Sequence, residues 1–94
     1  MSEIAAKIAN VESLDTILGE VGNEVLSAES KWPPLNSAHK AYAVLAEEVD
    51  ELWDHVKVNQ KRRDLAAMRH EAVQVAAMAI RFIRDITDSE RGRK

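Results

Sequence analysis

The chain of 94 residues contains no cysteine. Disulfides, a thiolate nucleophile and a zinc–thiolate site are therefore excluded. The chain has no run of about eighteen apolar residues, and its N-terminus lacks the apolar core of a signal peptide, so we expect neither membrane spanning nor secretion. Only two prolines and three glycines accompany an apolar content of 46%. This composition is typical of a folded helical protein, which we expect to be cytoplasmic.

Each half of the chain has few charges of one sign: basic residues are scarce in the first half and acidic residues in the second. Residues 1–56 carry three Lys/Arg and eleven Asp/Glu, a net −8, whereas residues 57–94 carry ten and five, a net +5. The total of −3 argues against general nucleic-acid binding, for which a basic domain is typical. The asymmetry would suit metal cations on one side and phosphates on the other. We favour the pairing of oppositely charged helices within the fold as the origin of most of it.

The length predicts a single domain over residues 1–94. Apolar residues that recur every three or four positions predict an all-α bundle of three main helices. The predicted segments are a first helical region that begins between residues 2 and 13, a second helix over residues 38–57 and a third over residues 64–86. Residues 1–10 are expected to be a loosely ordered start, with a short fourth helix as the alternative, and residues 89–94 a frayed basic tail. Because so short a chain has a thin core, we expect a homo-oligomer, dimer or tetramer, with a four-helix-bundle-like assembly.

The stretch LAEEVDELWDHV concentrates like charge on the second helix. A helical wheel at about 100° per residue places Glu48 inside the apolar arc and Glu51 at its edge, while Glu47 points to solvent. The same wheel on the third helix places Glu71 in the apolar face and Gln74 near its edge. Two helices therefore each direct a carboxylate, and a second oxygen ligand three residues on, towards the side that should be packed.

Burying an ionised carboxylate without a partner costs several kcal/mol. A bound divalent cation would offset that cost, since magnesium and similar ions prefer carboxylate and carbonyl oxygens. Interhelical salt bridges from Arg69, Arg81 or Lys57 would offset it equally well. The periodicity alone leaves both explanations open.

At these residues the sequence resembles a known family. EEVDE, residues 47–51, is similar to the EExxE motif of the all-α nucleotide pyrophosphohydrolases, the MazG-like superfamily. That family continues with ExxD on the next helix, and here EAVQ follows after nineteen intervening residues. The stretch KWPPLNSAHKAYAVLAEEVDELWDHVK also resembles the small MazG-like proteins of bacteria and phages. The resemblance covers roughly residues 11–86.

The resemblance implies a magnesium-dependent enzyme, with manganese as the alternative ion, that cleaves a nucleoside triphosphate (NTP or dNTP) to the monophosphate and pyrophosphate. It assigns Glu48, Glu51 and Glu71 as metal ligands and Glu47 as an additional ligand or a residue that orients water. Gln74 stands where the family has an aspartate, and it offers a carbonyl oxygen without charge. Weaker cation binding is therefore expected, which leaves open slower catalysis, a different metal stoichiometry or binding without turnover.

Several side chains are candidates for substrate contact. Arg81, Lys31 and Lys57 are candidates to bind phosphates, although a solvated surface role is the ordinary alternative for each. Trp32 is a candidate to line a pocket mouth and stack on a base, or else packs over a helix end. Two other functions stay open beside the enzyme: a nucleotide- or metal-binding homologue that has lost catalysis, and a purely structural helical oligomer whose inward acids pair with arginines.

Overall fold

The computed structural model describes residues 12–89, which form helices and the short segments that join them. The helices are α1 over Leu14–Lys31, α2 over Ala38–Val56 and α3 over Leu65–Phe82, with a 3₁₀ turn at Gln60–Arg62 before α3 and a π-helical turn at Ile83–Thr87 after it. No strand occurs in this part of the chain, which confirms the all-α prediction. None of these helices combines the length and the apolar character needed to cross a membrane.

Each main helix begins at a side chain that caps its first turn. The caps are Ser13, Ser37 and Asp64, and each accepts a hydrogen bond of 3.1 Å from the backbone N–H three residues on. Side-chain oxygens at this position satisfy amide groups that have no partner inside the helix. The predicted beginnings of α2 and α3 are thus confirmed, and α1 begins at the late limit of its interval. The loosely ordered start predicted for residues 1–10, the alternative fourth helix and most of the frayed tail lie outside the described residues.

The end of α3 differs from the regular helix predicted to residue 86. The Asp88 N–H donates to the Ile83 carbonyl, five residues back, at 2.8 Å. This wider turn accompanies the burial of two consecutive side chains, Asp85 and Ile86. Asp85 Oδ2 accepts a hydrogen bond of 2.9 Å from the Leu35 N–H. The end of α3 is thereby tied to the segment that joins α1 to α2.

Both other helices pack on α3, and most interhelical contacts are made by it. The core between α1 and α3 consists of small and branched side chains, namely Val21, Val25, Val73 and Ala77 with Ile17 and Ile80 against them. Residues 32–37, which join α1 to α2, are not helical and include Pro33 and Pro34. Six residues can span roughly 20 Å, so the two helices that they join can lie apart on the surface of α3.

Interhelical ion pairs show the direction of the helices and where much of the charge goes. Arg69 Nη2 lies 3.2 Å from Glu20 Oε1, and Arg84 Nε lies 2.8 Å from Glu29 Oε2. Both pairs join α1 to α3 or its π-helical extension. The partner on the α3 side has the higher number where the partner on α1 does, so α1 and α3 run parallel. The helix between them in sequence, α2, runs antiparallel to both. Glutamates of α1 thus pair with arginines of α3 and its extension, although most of the basic residues of the second half of the sequence lie outside α3.

The apolar arc predicted for α2 is only partly covered. Ala41 is fully buried, but Tyr42 is 67% exposed, Val49 46% and Trp53 58%. A spacing of seven and four residues places these three on one stripe of the helix. The helical wheel places Tyr42 and Val49 in the arc that should be packed, and for these two residues that expectation is wrong within a single chain, because α3 covers only one side of the arc. On α3, Met78 is buried.

Candidate functional site

The structure brings three of the predicted ligands together. Glu48, Glu51 and Glu71 each offer a carboxylate oxygen, and these oxygens all lie within 4.8 Å of one another. Glu48 and Glu51 follow each other by one turn on α2, while Glu71 comes from the facing side of α3. Glu48 and Glu71 are half-buried and Glu51 is exposed. The cluster therefore lies at the edge of the α2–α3 seam, open to solvent on one side.

The electrostatic consequence of this clustering falls on Glu48. Burial raises the pKa of Glu48 above its usual 4.5, and the negative charges of Glu51 and Glu71 raise it further. Both effects disfavour the ionised form. The folded chain therefore holds carboxylates in an arrangement that a cation would relieve.

The basic side chains considered as salt-bridge partners for the cluster lie elsewhere. Arg69 pairs with Glu20, and Lys57 Nζ lies 3.0 Å from Asp54 Oδ1. Arg81 makes no ion pair within residues 12–89. The basic side chain beside the cluster is instead His55. Its Nε2 is 3.9 Å from Glu71 Oε1, and it is charged only when protonated. In the described part of the chain, none of the three basic side chains expected as alternative partners therefore pairs with the cluster.

Gln74 lies one turn beyond Glu71 and is held by a residue that sequence reasoning missed. Its Nε2 donates a hydrogen bond of 2.9 Å to Glu24 Oε2 on α1. Because the amide nitrogen is engaged, the carbonyl oxygen is the atom left to act as a ligand. Glu24 brings a negative charge beside the position where Gln74 has none. A wheel of α1 would have pointed to it, since it lies within about 40° of the apolar edge at Ala28.

The donor set fits a hard divalent cation. All three ligands are carboxylate oxygens. Magnesium, manganese and calcium prefer oxygen ligands, whereas zinc and copper favour nitrogen and sulfur. Two oxygens on opposite sides of a magnesium ion lie about 4.2 Å apart, since each bond is about 2.1 Å long. A spread of up to 4.8 Å is therefore close to what such an ion requires.

A cavity of about 490 Å³ adjoins the cluster. Its floor is α3 from Gln74 to Arg81, its walls are α1 at Glu24 and α2 from Lys40 to Glu48, and residues 32–36 line one end. The cavity lies between α1 and α2, where these two helices are apart on α3. Glu48 belongs both to the cavity wall and to the carboxylate cluster, so a ligand in the cavity would reach a cation held there.

The predicted substrate contacts divide into two groups. Arg81 and Trp32 line the cavity, whereas Lys31 and Lys57 do not. Lys31 is exposed at the last turn of α1, and Lys57 is engaged with Asp54. Lys40 lines the cavity and was not among the predicted contacts, although a lysine in the first turn of a helix is a signal, because the helix dipole disfavours it there.

Glu47 is exposed on α2 and is not a member of the carboxylate cluster. Its negative charge contributes in a small way to the raised pKa of Glu48. It therefore lies beside the cluster rather than within it.

No protein-family model, curated protein or solved structure matches the chain. The resemblance to MazG-like enzymes therefore rests on the two motifs, the stretch around the first of them and the spacing between them.

The raised pKa of Glu48 predicts a pH-dependent stability. A carboxyl group whose pKa is higher in the folded than in the unfolded state holds its proton more tightly when folded, so stability falls as pH rises from about 4.5 through the folded-state pKa. In EDTA at pH 7 we expect Glu48→Gln to unfold at a higher urea concentration than the wild type. At about pH 3, well below the unfolded-state pKa, the carboxyl is protonated in both states and the difference should disappear.

The matched control is Asp50→Asn, an exposed acidic position on the same helix. It should show no comparable gain at pH 7. Equal stability of the wild type and Glu48→Gln at both pH values would contradict the electrostatic account of the cluster.

Gln74→Asp tests whether this position reaches the ion. The carboxylate would add a charged ligand, so we expect Mg²⁺ or Mn²⁺ to bind roughly tenfold more tightly, as seen by calorimetric titration. Glu24→Gln provides the comparison, because it removes the charge nearest to Gln74 and should weaken binding. Unchanged or weaker affinity in Gln74→Asp would mean that residue 74 lies outside the coordination shell.

Proposed function

We propose that the chain is a magnesium-dependent nucleoside triphosphate pyrophosphohydrolase, with manganese as the alternative ion. The observation that carries the proposal is the convergence of three carboxylate oxygens within 4.8 Å on two helices, beside a cavity that shares Glu48 with them. The cavity has a volume of about 490 Å³, which is within the usual range for small-molecule sites. The substrate would be an NTP or dNTP, and the products the monophosphate and pyrophosphate.

Each group in the site has a role in this proposal. Glu48, Glu51 and Glu71 would hold the ion, and the Gln74 carbonyl oxygen would complete their side of the shell. When bound, magnesium supplies positive charge that neutralises phosphate oxygens. Glu47, exposed beside the cluster, would act on the solvent side by orienting the attacking water.

The remainder of the cavity would accommodate the nucleoside. Trp32 presents a flat apolar ring at one end, next to Pro33 and Pro34. Aromatic side chains can stack on any nucleobase because every base has a π face, so this end would hold the base without strong selection. The apolar floor formed by Ala77 and Met78 would exclude water from one side of the bound molecule.

A second candidate is a homologue that binds the nucleotide or metal without turnover. The hydrogen bond between Gln74 and Glu24 favours it, because it fixes a neutral side chain at the position of the family's aspartate. Pyrophosphate release separates the two candidates, since both predict binding and only the enzyme predicts products.

We also propose that the chain acts as a homo-oligomer, a dimer or tetramer. Part of the support is the uncovered stripe Tyr42, Val49 and Trp53 on α2. No large side chain in residues 12–89 is fully buried, and exposed leucines occur on α1 and at the start of α3. Burying such surface against a second copy would stabilise a fold whose own core is thin.

The catalytic assignment is tested by removing one ligand from each helix. We expect Glu48→Ala and Glu71→Ala each to abolish pyrophosphate release from NTPs and dNTPs with magnesium or manganese, because either change opens the coordination shell. Helix content by circular dichroism should be kept. Asp50→Ala, an exposed acidic residue outside the cluster, should retain wild-type activity. Full activity in either glutamate variant would refute the assigned roles.

The oligomer is tested at Trp53, the last residue of the uncovered stripe. We expect Trp53→Glu to shift the sedimentation of the protein from dimer or tetramer towards monomer, since a charge cannot be buried in an apolar contact without a large cost. Lys61→Glu, a charge change in the exposed 3₁₀ turn, should leave the assembly intact. A wild-type chain that sediments as a monomer at all concentrations would contradict the proposal.

A further inference from the structure

Arg81 is a buried cation that has no ionic partner among residues 12–89. Its side chain is among the least exposed of the described residues, at 7%, and its Nε has no hydrogen-bond partner there. Its Nη1 is 3.8 Å from the sulfur of Met78, a weak acceptor. Arg69 and Arg84, by contrast, are exposed and each pairs with a glutamate of α1. A buried guanidinium without a counter-charge is costly, so an anion is expected to meet it.

The acid nearest to it in sequence is already engaged. Asp85 follows Arg81 by one turn, but its Oδ2 accepts the Leu35 N–H and it forms no ion pair with Arg81. That hydrogen bond also holds residues 32–37, the linker between α1 and α2, at one end of the cavity. The same contact therefore shapes the cavity and engages Asp85 with the Leu35 amide. The open side of Arg81 is the cavity that it lines.

A second source of positive charge reaches the same end of the cavity. The contact between Leu35 and Asp85 sets the antiparallel register of α2 and α3 and places Lys40 level with the last turns of α3. Lys40 lines the cavity in the first turn of α2, a turn that contains no acidic residue. The N-terminal end of a helix carries partial positive charge and exposed amide groups. The lysine, the guanidinium and the helix end therefore favour an anion together.

The opposite end of the cavity is acidic. Glu24 and Glu48 line it on either side of Gln74. Seven residues separate Gln74 from Arg81 along α3, which corresponds to roughly 10 Å. A ligand that satisfies both ends is therefore extended, and it carries an anionic group at a distance from the groups that a metal ion would hold.

We propose that Arg81 and Lys40 form an anion subsite that binds a phosphoryl group directly, without a metal ion. The guanidinium fork matches the oxygens of a phosphate, and such charge-assisted pairs are among the stronger hydrogen bonds. The inference rests on the proposed function only for the identity of the ligand as a nucleotide. The subsite divides recognition of the polyphosphate into a metal-held part at Glu48 and a part held by Arg81 and Lys40. The base would lie beyond that part, on Trp32, which is mostly exposed at the same end of the cavity.

The test is calorimetric titration of inorganic pyrophosphate into the full chain in EDTA. We expect the wild type to bind, and Arg81→Met to bind about tenfold more weakly or worse, because a charged hydrogen-bonding group is lost. Arg81→Lys should lie between them, since it keeps the charge and loses the fork. Arg62→Met removes an exposed arginine outside the cavity and should bind as the wild type does. Circular dichroism of Arg81→Met should show the wild-type helix content.

The outcomes separate this inference from the proposed function. Pyrophosphate that binds only when magnesium is present, or equally well to Arg81→Met in EDTA, would overturn the subsite and leave the enzyme proposal standing. Binding in EDTA that Arg81→Met loses, with no pyrophosphate released from any NTP or dNTP, would support the subsite while the enzyme proposal fails. Glu48→Gln should keep or strengthen the EDTA binding, because it removes a negative charge from the same cavity.

Discussion

The arrangement of α1 and α2 on α3 is the constraint from which the other features follow. The six-residue linker with two prolines lets α1 and α2 lie apart on α3, and the Leu35–Asp85 hydrogen bond fixes where the linker runs. A cavity forms in the space between them, and its floor is the face of α3 that α1 and α2 leave uncovered. The apolar stripe on α2 remains exposed for the same reason, since one helix can cover only part of a wide apolar arc.

Charge in this chain serves two different ends. Along the α1–α3 seam, glutamates meet arginines in exposed pairs, a kind of contact that contributes little to stability. Along the α2–α3 seam, Glu48 and Glu71 converge without a guanidinium, and the pKa of Glu48 is raised by burial and by its neighbours. Arg81 is the counterpart at the other end of the cavity, a buried cation without an acid among residues 12–89. Within the described part of the chain, charges of both signs thus border one cavity without pairing, and the proposed nucleotide with its divalent cation would complement both.

The sequence predicted more of the fold than of the cavity. The beginnings of α2 and α3 were predicted correctly because caps such as Ser37 and Asp64 depend on a few adjacent residues. The approach of Glu48 to Glu71 follows from the helical wheel, since both lie on faces that must meet another helix. Glu24 and Lys40 were missed because reasoning within one helix marks them only as an edge residue and a first-turn lysine. Whether such residues border a cavity depends on which helices flank α3. Lys57 was overestimated because its local partner Asp54, three residues earlier, engages it.

The sequence alone determined the all-α class, the helix beginnings and the facing of the carboxylates, because each depends on interactions within about one turn of helix or on its 3.6-residue period. Only the tertiary structure decided that Asp85 turns to the linker, that Arg81 is buried with no acid from residues 12–89 beside it, and that Tyr42 and Val49 stay uncovered. These outcomes depend on contacts between residues that are distant along the chain. Which residues make them is set by how three helices share one surface, a property of packing rather than of any single segment.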